Sequence, residues 1–99
     1  MFRHCVMLRW KADASESQKR SLREGLERLR EELSVIRDYR FGDDAGLAAS
    51  NFDFAIVADF DDAEAYRVYA DHPAHEELIR TLLRPILAER VAVQYRADP

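Results

Sequence analysis

The sequence predicts an α+β domain, a four-stranded antiparallel sheet with its helices on one face and elements in the order βαββαβ. Three observations lead there. Four segments alternate in hydrophobicity with period two, the mark of strands. Two runs with helical spacing each begin at a capping box, Ser15 to Gln18 and Asp61 to Glu64. One helical run separates the first strand from the second, and the other separates the third from the fourth.

The first strand spans Phe2 to Lys11. Phe2, His4, Val6, Leu8 and Trp10 share one face, and Arg3, Cys5, Met7, Arg9 and Lys11 share the other. A helix over about residues 16 to 34 starts at Ser15 as N-cap. Leu22, Leu26, Leu29 and Leu33 form its apolar stripe, and mixed charges line its other sides. Gly25 lies inside it at a cost in helix stability, so it marks a close contact or nothing at all. Val35 to Phe41 alternates again and is followed by turn chemistry at Gly42-Asp43-Asp44-Ala45-Gly46 and a polar loop. Phe52 to Phe60 is the clearest strand, with Phe52, Phe54, Ile56, Ala58 and Phe60 on its apolar face. Asp61 is the expected N-cap of a short helix reaching about Ala70. Pro73 ends that helix and opens another, whose inward stripe is Leu78, Leu82 and Ile86, with Ile79 and Leu83 at the margin. Pro85 breaks it. Val91 to Tyr95 is the last strand, with Val91, Val93 and Tyr95 opposite Ala92 and Gln94. This order is the split βαβ, or ferredoxin-like, arrangement.

Ninety-nine residues make one domain, residues 1–99. A formal charge of −4 argues against a nucleic-acid surface. The single cysteine, Cys5, excludes an internal disulfide and a cysteine-based metal site. Three histidines without Cys or Glu at ligand spacing do not make a zinc site, and no cofactor is expected. No apolar run is long enough to span a membrane, so the expected location is the cytoplasm.

The helices account for one face of the sheet. The other keeps Cys5, Met7, Ala55 and Val57 at its middle, with no helix left in the chain to cover them. Such a patch marks an interface, and the simplest cover is the same face of a second copy in a closed two-fold pair. A monomer with a modestly apolar wet face is the alternative. Trp10 and Tyr95 read as packing or interface residues.

The most distinctive segment is Tyr66-Arg67-Val68-Tyr69-Ala70-Asp71-His72-Pro73-Ala74-His75. With the opening strand Phe-Arg-His-Cys-Val-Met-Leu-Arg-Trp-Lys and the third strand Asn-Phe-Asp-Phe-Ala-Ile-Val-Ala-Asp-Phe, it resembles the stress-responsive dimeric α/β-barrel (Dabb) family from about Phe2 to Tyr95. The resemblance implies a ferredoxin-like subunit and a homodimer whose sheets form a dimeric α/β barrel. Most members have no established activity. One plant member is a polyketide cyclase that closes a linear tetraketide into olivetolic acid. The positions that match its pocket histidines and tyrosine are His4, Tyr69 and His75.

Two readings of these three residues stand side by side. His4 is in phase with Val6 and Leu8, either as a satisfied core histidine or at a pocket mouth near the strand end. Tyr69 and His75 flank the helix break, either packing locally or pointing back at the sheet. If the three converge, a neutral imidazole can take an acidic α-proton from a β-keto substrate while a phenol holds the enolate oxygen. His72, before Pro73, suits a structural bond to nearby backbone. The preferred function is binding of a small apolar or aromatic molecule in a cleft between sheet and helices, for sensing, sequestration or stress protection. The alternative is a cofactor-free, cyclase-like enzyme using His4, Tyr69 and His75.

Overall fold

The computed structural model describes residues 1–98. Strands β1 (Phe2–Trp10), β2 (Asp38–Asp43), β3 (Phe54–Phe60) and β4 (Leu87–Arg96) form one sheet in the order β2-β3-β1-β4, every neighbour antiparallel. Helices α1 (Glu16–Glu32), α2 (Ala63–Asp71) and α3 (Pro73–Leu78) belong to the two crossovers. This is the ferredoxin-like arrangement expected from the alternation pattern.

Helix α1 follows its sequence closely. Ser15 Oγ accepts from Gln18 N at 3.1 Å, and Gln18 Oε1 accepts from Ser15 N at 2.9 Å, which closes the capping box. Leu22, Leu26, Leu29 and Leu33 are all buried. Gly25 resolves as a close contact, since a Cβ there would lie 2.7 Å from Leu82 Cδ1 and 3.2 Å from Leu78 Cδ1.

Several boundaries differ from expectation. Helix α1 ends at Glu32, and residues 34–35 turn before β2 starts at Asp38. Val35 and Ile36 favour a strand locally, but the ladder with β3 reaches only the Asp38–Asp59 pair. Beyond it, a single bond from Arg37 N to Asp59 O continues the pairing. Gly42 and Asp43, expected as turn, extend β2 because they pair with Ala55 and Phe54. Strand β3 begins at Phe54 instead of Phe52. Asp53 is held outside the ladder by its backbone bond to Leu8 O and its carboxylate on Trp10 N, while Phe52 lies under the Arg9 guanidinium at 4.1 Å. Strand β4 starts at Leu87, earlier than Val91, because β1 pairs with it from Arg96 to Leu87, with one register shift at Arg9/Trp10. The N-cap of α2 is Asp62, accepting from Ala65 N at 2.9 Å, and Asp61 instead makes a two-pronged ion pair with Arg37.

After α3 the chain makes a π turn over Ile79–Leu83 and a 3-10 turn over Arg84–Ile86. A π turn spaces equivalent side chains five residues apart. The inward position after Leu78 is therefore Leu83, not Leu82. Leu78, Leu83 and Ile86 are buried, and Leu82 packs at the margin against Gly25.

The register assigns the two faces of the sheet. His4 lies across from Ala58 and Gln94, Val6 from Ile56 and Ala92, and Leu8 from Phe54 and Arg90. These face the helices. Arg3, Cys5 and Met7 face the other way, beside Asp59, Val57 and Ala55 on β3 and Tyr95, Val93 and Val91 on β4. Met7, Val91, Val93 and Tyr95 are exposed within the subunit, Val93 by 59%. An Arg3–Asp59 ion pair of 2.7 and 2.9 Å closes one end of this face.

Candidate functional site

The helix break builds one wall of the site. His72 ends α2 and caps α3, with φ −67° and ψ 135°, and its Nδ1 accepts from Ala74 N at 3.0 Å. The extended backbone before Pro73 is what proline imposes, and His72 has the structural role expected of it. The bend brings the last turn of α2 against the first turn of α3. Tyr69 and His75 end with ring centroids 4.4 Å apart.

The sheet supplies the opposite wall. Ala58 sits between His4 on β1 and Tyr39 on β2 in the register, and its small side chain leaves room for both rings. The Tyr39 and Tyr69 hydroxyls meet at 2.8 Å. The His4 ring lies 4.9 Å from that of Tyr66 and 6.5 Å from that of Tyr69. These groups border a cavity of about 340 Å³ between sheet and helices. Aliphatic side chains, among them Val6, Leu26, Ile56 and Leu83, line most of it. His4, Tyr69 and His75 all line it, so the three candidates from the sequence stand in one place. The tyrosine hydroxyl, however, is joined to Tyr39 and not to either histidine.

Hydrogen bonds set the two imidazoles in different tautomers. His75 Nδ1 lies 3.2 Å from the Ala70 carbonyl oxygen. A carbonyl only accepts, so Nδ1 donates and Nε2 of the neutral ring keeps its lone pair. Gln94 Nε2 donates to His4 Nδ1 at 2.9 Å and to the Tyr66 hydroxyl at 3.2 Å. His4 therefore accepts at Nδ1 and carries its proton on Nε2. One ring is a base toward its surroundings and the other a donor.

Burial sets the charge states. His4, 4% exposed, is lowered to about 4, first by loss of hydration and then by the nearby Arg90 and His75. His75 is lowered for the same first reason, opposed by its bond to Ala70. Tyr69 is pushed up to about 12 by burial, and Tyr39 rises further above the ordinary range by burial and by the neighbouring Tyr69. At neutral pH all four are uncharged. Among the described residues, no three His, Cys, Asp or Glu side chains gather where a metal ion could be held. No helix among the described residues is long and apolar enough to cross a membrane.

Sequence reasoning missed Tyr39, Tyr66, Gln94, Arg84 and Arg90. Tyr39 and Gln94 carried a weak signal, since each falls on one side of an alternating strand, but their partners lie 30 and 90 residues away in the chain. Arg84 and Arg90 carried none.

Comparisons with known proteins agree with this architecture. A crystal structure from Thermobifida fusca, described as a dimeric ferredoxin-like protein of unknown function, is 38% identical with a TM-score of 0.89, covering 97% of this chain and 90% of its own. A dimeric protein of unknown function and ferredoxin-like fold from Bacteroides fragilis is 25% identical with a TM-score of 0.83, covering 97% and 95%. An uncharacterised protein of Streptomyces coelicolor is 34% identical over 79 residues, 77% of this chain and 80% of its own. The model of the stress responsive A/B barrel domain matches residues 2–97. With the sheet order, the helix break and the match over nearly its whole length, the chain belongs to the stress-responsive A/B barrel (Dabb) family.

Proposed function

We propose that this protein is a homodimeric Dabb-domain binding protein that takes a small apolar or aromatic molecule into the cavity between sheet and helices. The observation that carries this reading is the cavity of about 340 Å³, apolar over most of its wall, into which neutral His4, Tyr69 and His75 bring a few polar groups. Ligand sites have this composition, and the volume falls at the low end of the usual range. The homodimer is supported by the dimeric relatives from Thermobifida fusca and Bacteroides fragilis and by the apolar outer face around Cys5, Met7, Val57, Val91 and Val93. Calorimetric titration with 2-naphthol tests the binding. The expected result is one site per subunit, weakened at least about tenfold in Ile79→Trp, which adds bulk at the cavity wall. Absence of heat at millimolar ligand would remove the reading.

A second reading has one observation in its favour, the tautomer of His75. Its Nε2 lone pair can take the α-proton of a β-dicarbonyl compound. The C–H electron pair then moves onto the carbonyl oxygen as an enolate, held by a tyrosine hydroxyl or by His4 Nε2–H. The Tyr69 hydroxyl meets Tyr39 and neither histidine, which is why binding is preferred. Deuterium exchange into ethyl acetoacetate, faster with protein and abolished in His75→Ala, would establish this chemistry. Exchange at the buffer rate would exclude it.

A further inference from the structure

The cavity wall is apolar or neutral except at two points, and both are arginine. Among the described residues, Arg84 and Arg90 line it, and no carboxylate does. That is unexpected in a chain with 19 acidic and 15 basic residues. Nine of the fifteen basic residues are paired elsewhere. Arg3, Arg9, Lys19, Arg23, Arg30, Arg37, Arg40, Arg67 and Arg80 all form ion pairs. Among the described residues, Lys11, Arg20, Arg28, Arg84, Arg90 and Arg96 form none, and of these six Arg84 and Arg90 line the cavity.

Their positions follow from the fold. Arg90 lies across from Leu8 on the helix-facing side of β4, four residues before Gln94 on the same face. Arg84 directly follows the π turn, whose Ile79 and Leu83 also border the cavity. Both side chains are exposed, so they stand where the cavity meets solvent. A second hollow of about 400 Å³ shares His75, Ile79 and Arg84 with the cavity and extends beyond it. The one acid there, Glu76, lines that outer hollow and not the cavity. The field of Arg90 is felt at His4, Tyr69 and His75 alike.

We infer that the ligand is an anionic amphiphile, its apolar or aromatic body in the cavity and its carboxylate or phosphate head between Arg84 and Arg90 at the mouth. This rests on the ligand-binding reading and adds the charge of the ligand to it. A guanidinium fork matches both head groups. The neutral interior would reject a buried anion, so the head stays at the rim.

The test compares 2-naphthoate, 2-naphthyl phosphate and neutral 2-naphthamide by calorimetry on the full chain. The readout is the ratio of dissociation constants, amide over anion. The expected ratio is about tenfold or more in favour of at least one anion at low salt, falling as salt is added. It should fall toward one in Arg84→Gln/Arg90→Gln and recover in part in Arg84→Lys/Arg90→Lys. Preference for naphthoate assigns a carboxylate head, and preference for the phosphate assigns a phosphoryl head. Amide and anions binding equally would overturn the inference and leave the cavity as a neutral-ligand site. If none of the three binds while 2-naphthol does, this inference fails and the ligand-binding reading stands; if 2-naphthol fails as well, both fail.

Discussion

Gln94 and His4 face each other across β4 and β1, and the amide donates to Nδ1 of the imidazole at 2.9 Å. This bond fixes the tautomer of a buried histidine from an edge strand. Gln94→Leu leaves Nδ1 without its donor, at an expected cost of about 1–2 kcal/mol. Urea unfolding measures it. Nitrogen-15 spectra of the native protein should show His4 protonated at Nε2 and His75 at Nδ1.

The same burial makes stability depend on pH. His4 is lowered from its ordinary 6.5 to about 4 in the fold. The unfolded chain therefore binds a proton that the native state refuses. The stability is fully present above about pH 6.5 and is lost as pH falls toward 4, by roughly 3 kcal/mol from this group alone. His75 acts in the same direction. His4→Gln should flatten the dependence of melting temperature on pH between 6.5 and 4. An equally steep profile in the variant would assign the effect to other groups.

The Tyr39–Tyr69 pair predicts a coupling. Either single change to Phe strands the other hydroxyl in a buried setting, while the double change removes both. Each single variant is expected to lose about 1–2 kcal/mol, and the double variant less than their sum. Denaturant titration of the four proteins closes the cycle.

The outer sheet face gives a prediction about assembly. Sedimentation equilibrium at micromolar concentration should return twice the 11.5 kDa chain mass. Val93→Arg places a charge at the centre of the exposed apolar patch, beside Cys5, and should return a monomer that remains folded by circular dichroism. A monomeric native chain would remove the dimer.

Legibility in the sequence followed the range of the interactions. Leucine spacing in α1, the Ser15–Gln18 box and the alternation of β1 and β3 are local, and these elements formed there, α1 two residues short at its end and β3 two residues short at its start. His4, Tyr69 and His75 came from the family resemblance, while strand phase and the proline-marked break left open whether they pack locally or face one cavity. Local propensity misled where a partner decides, at Val35 and Phe52. The adjacent Asp61 and Asp62 could both cap, and Arg37 claimed the first. The exchange of Leu82 for Leu83 came from a π turn, for which the residues between Leu78 and Pro85 give no local sign. The polar rim of the cavity depends on the pairing of β4 with β1, which is set by tertiary packing and not by the strand's own pattern.

The cavity is tested most directly through its own imidazoles. On addition of 2-naphthol, the ring proton signals of His4 and His75 should shift together with one saturating curve, while those of His72, which caps α3 outside the cavity, stay in place. Unmoved His4 and His75 signals, or a shift confined to His72, would contradict ligand binding between the sheet and the helices.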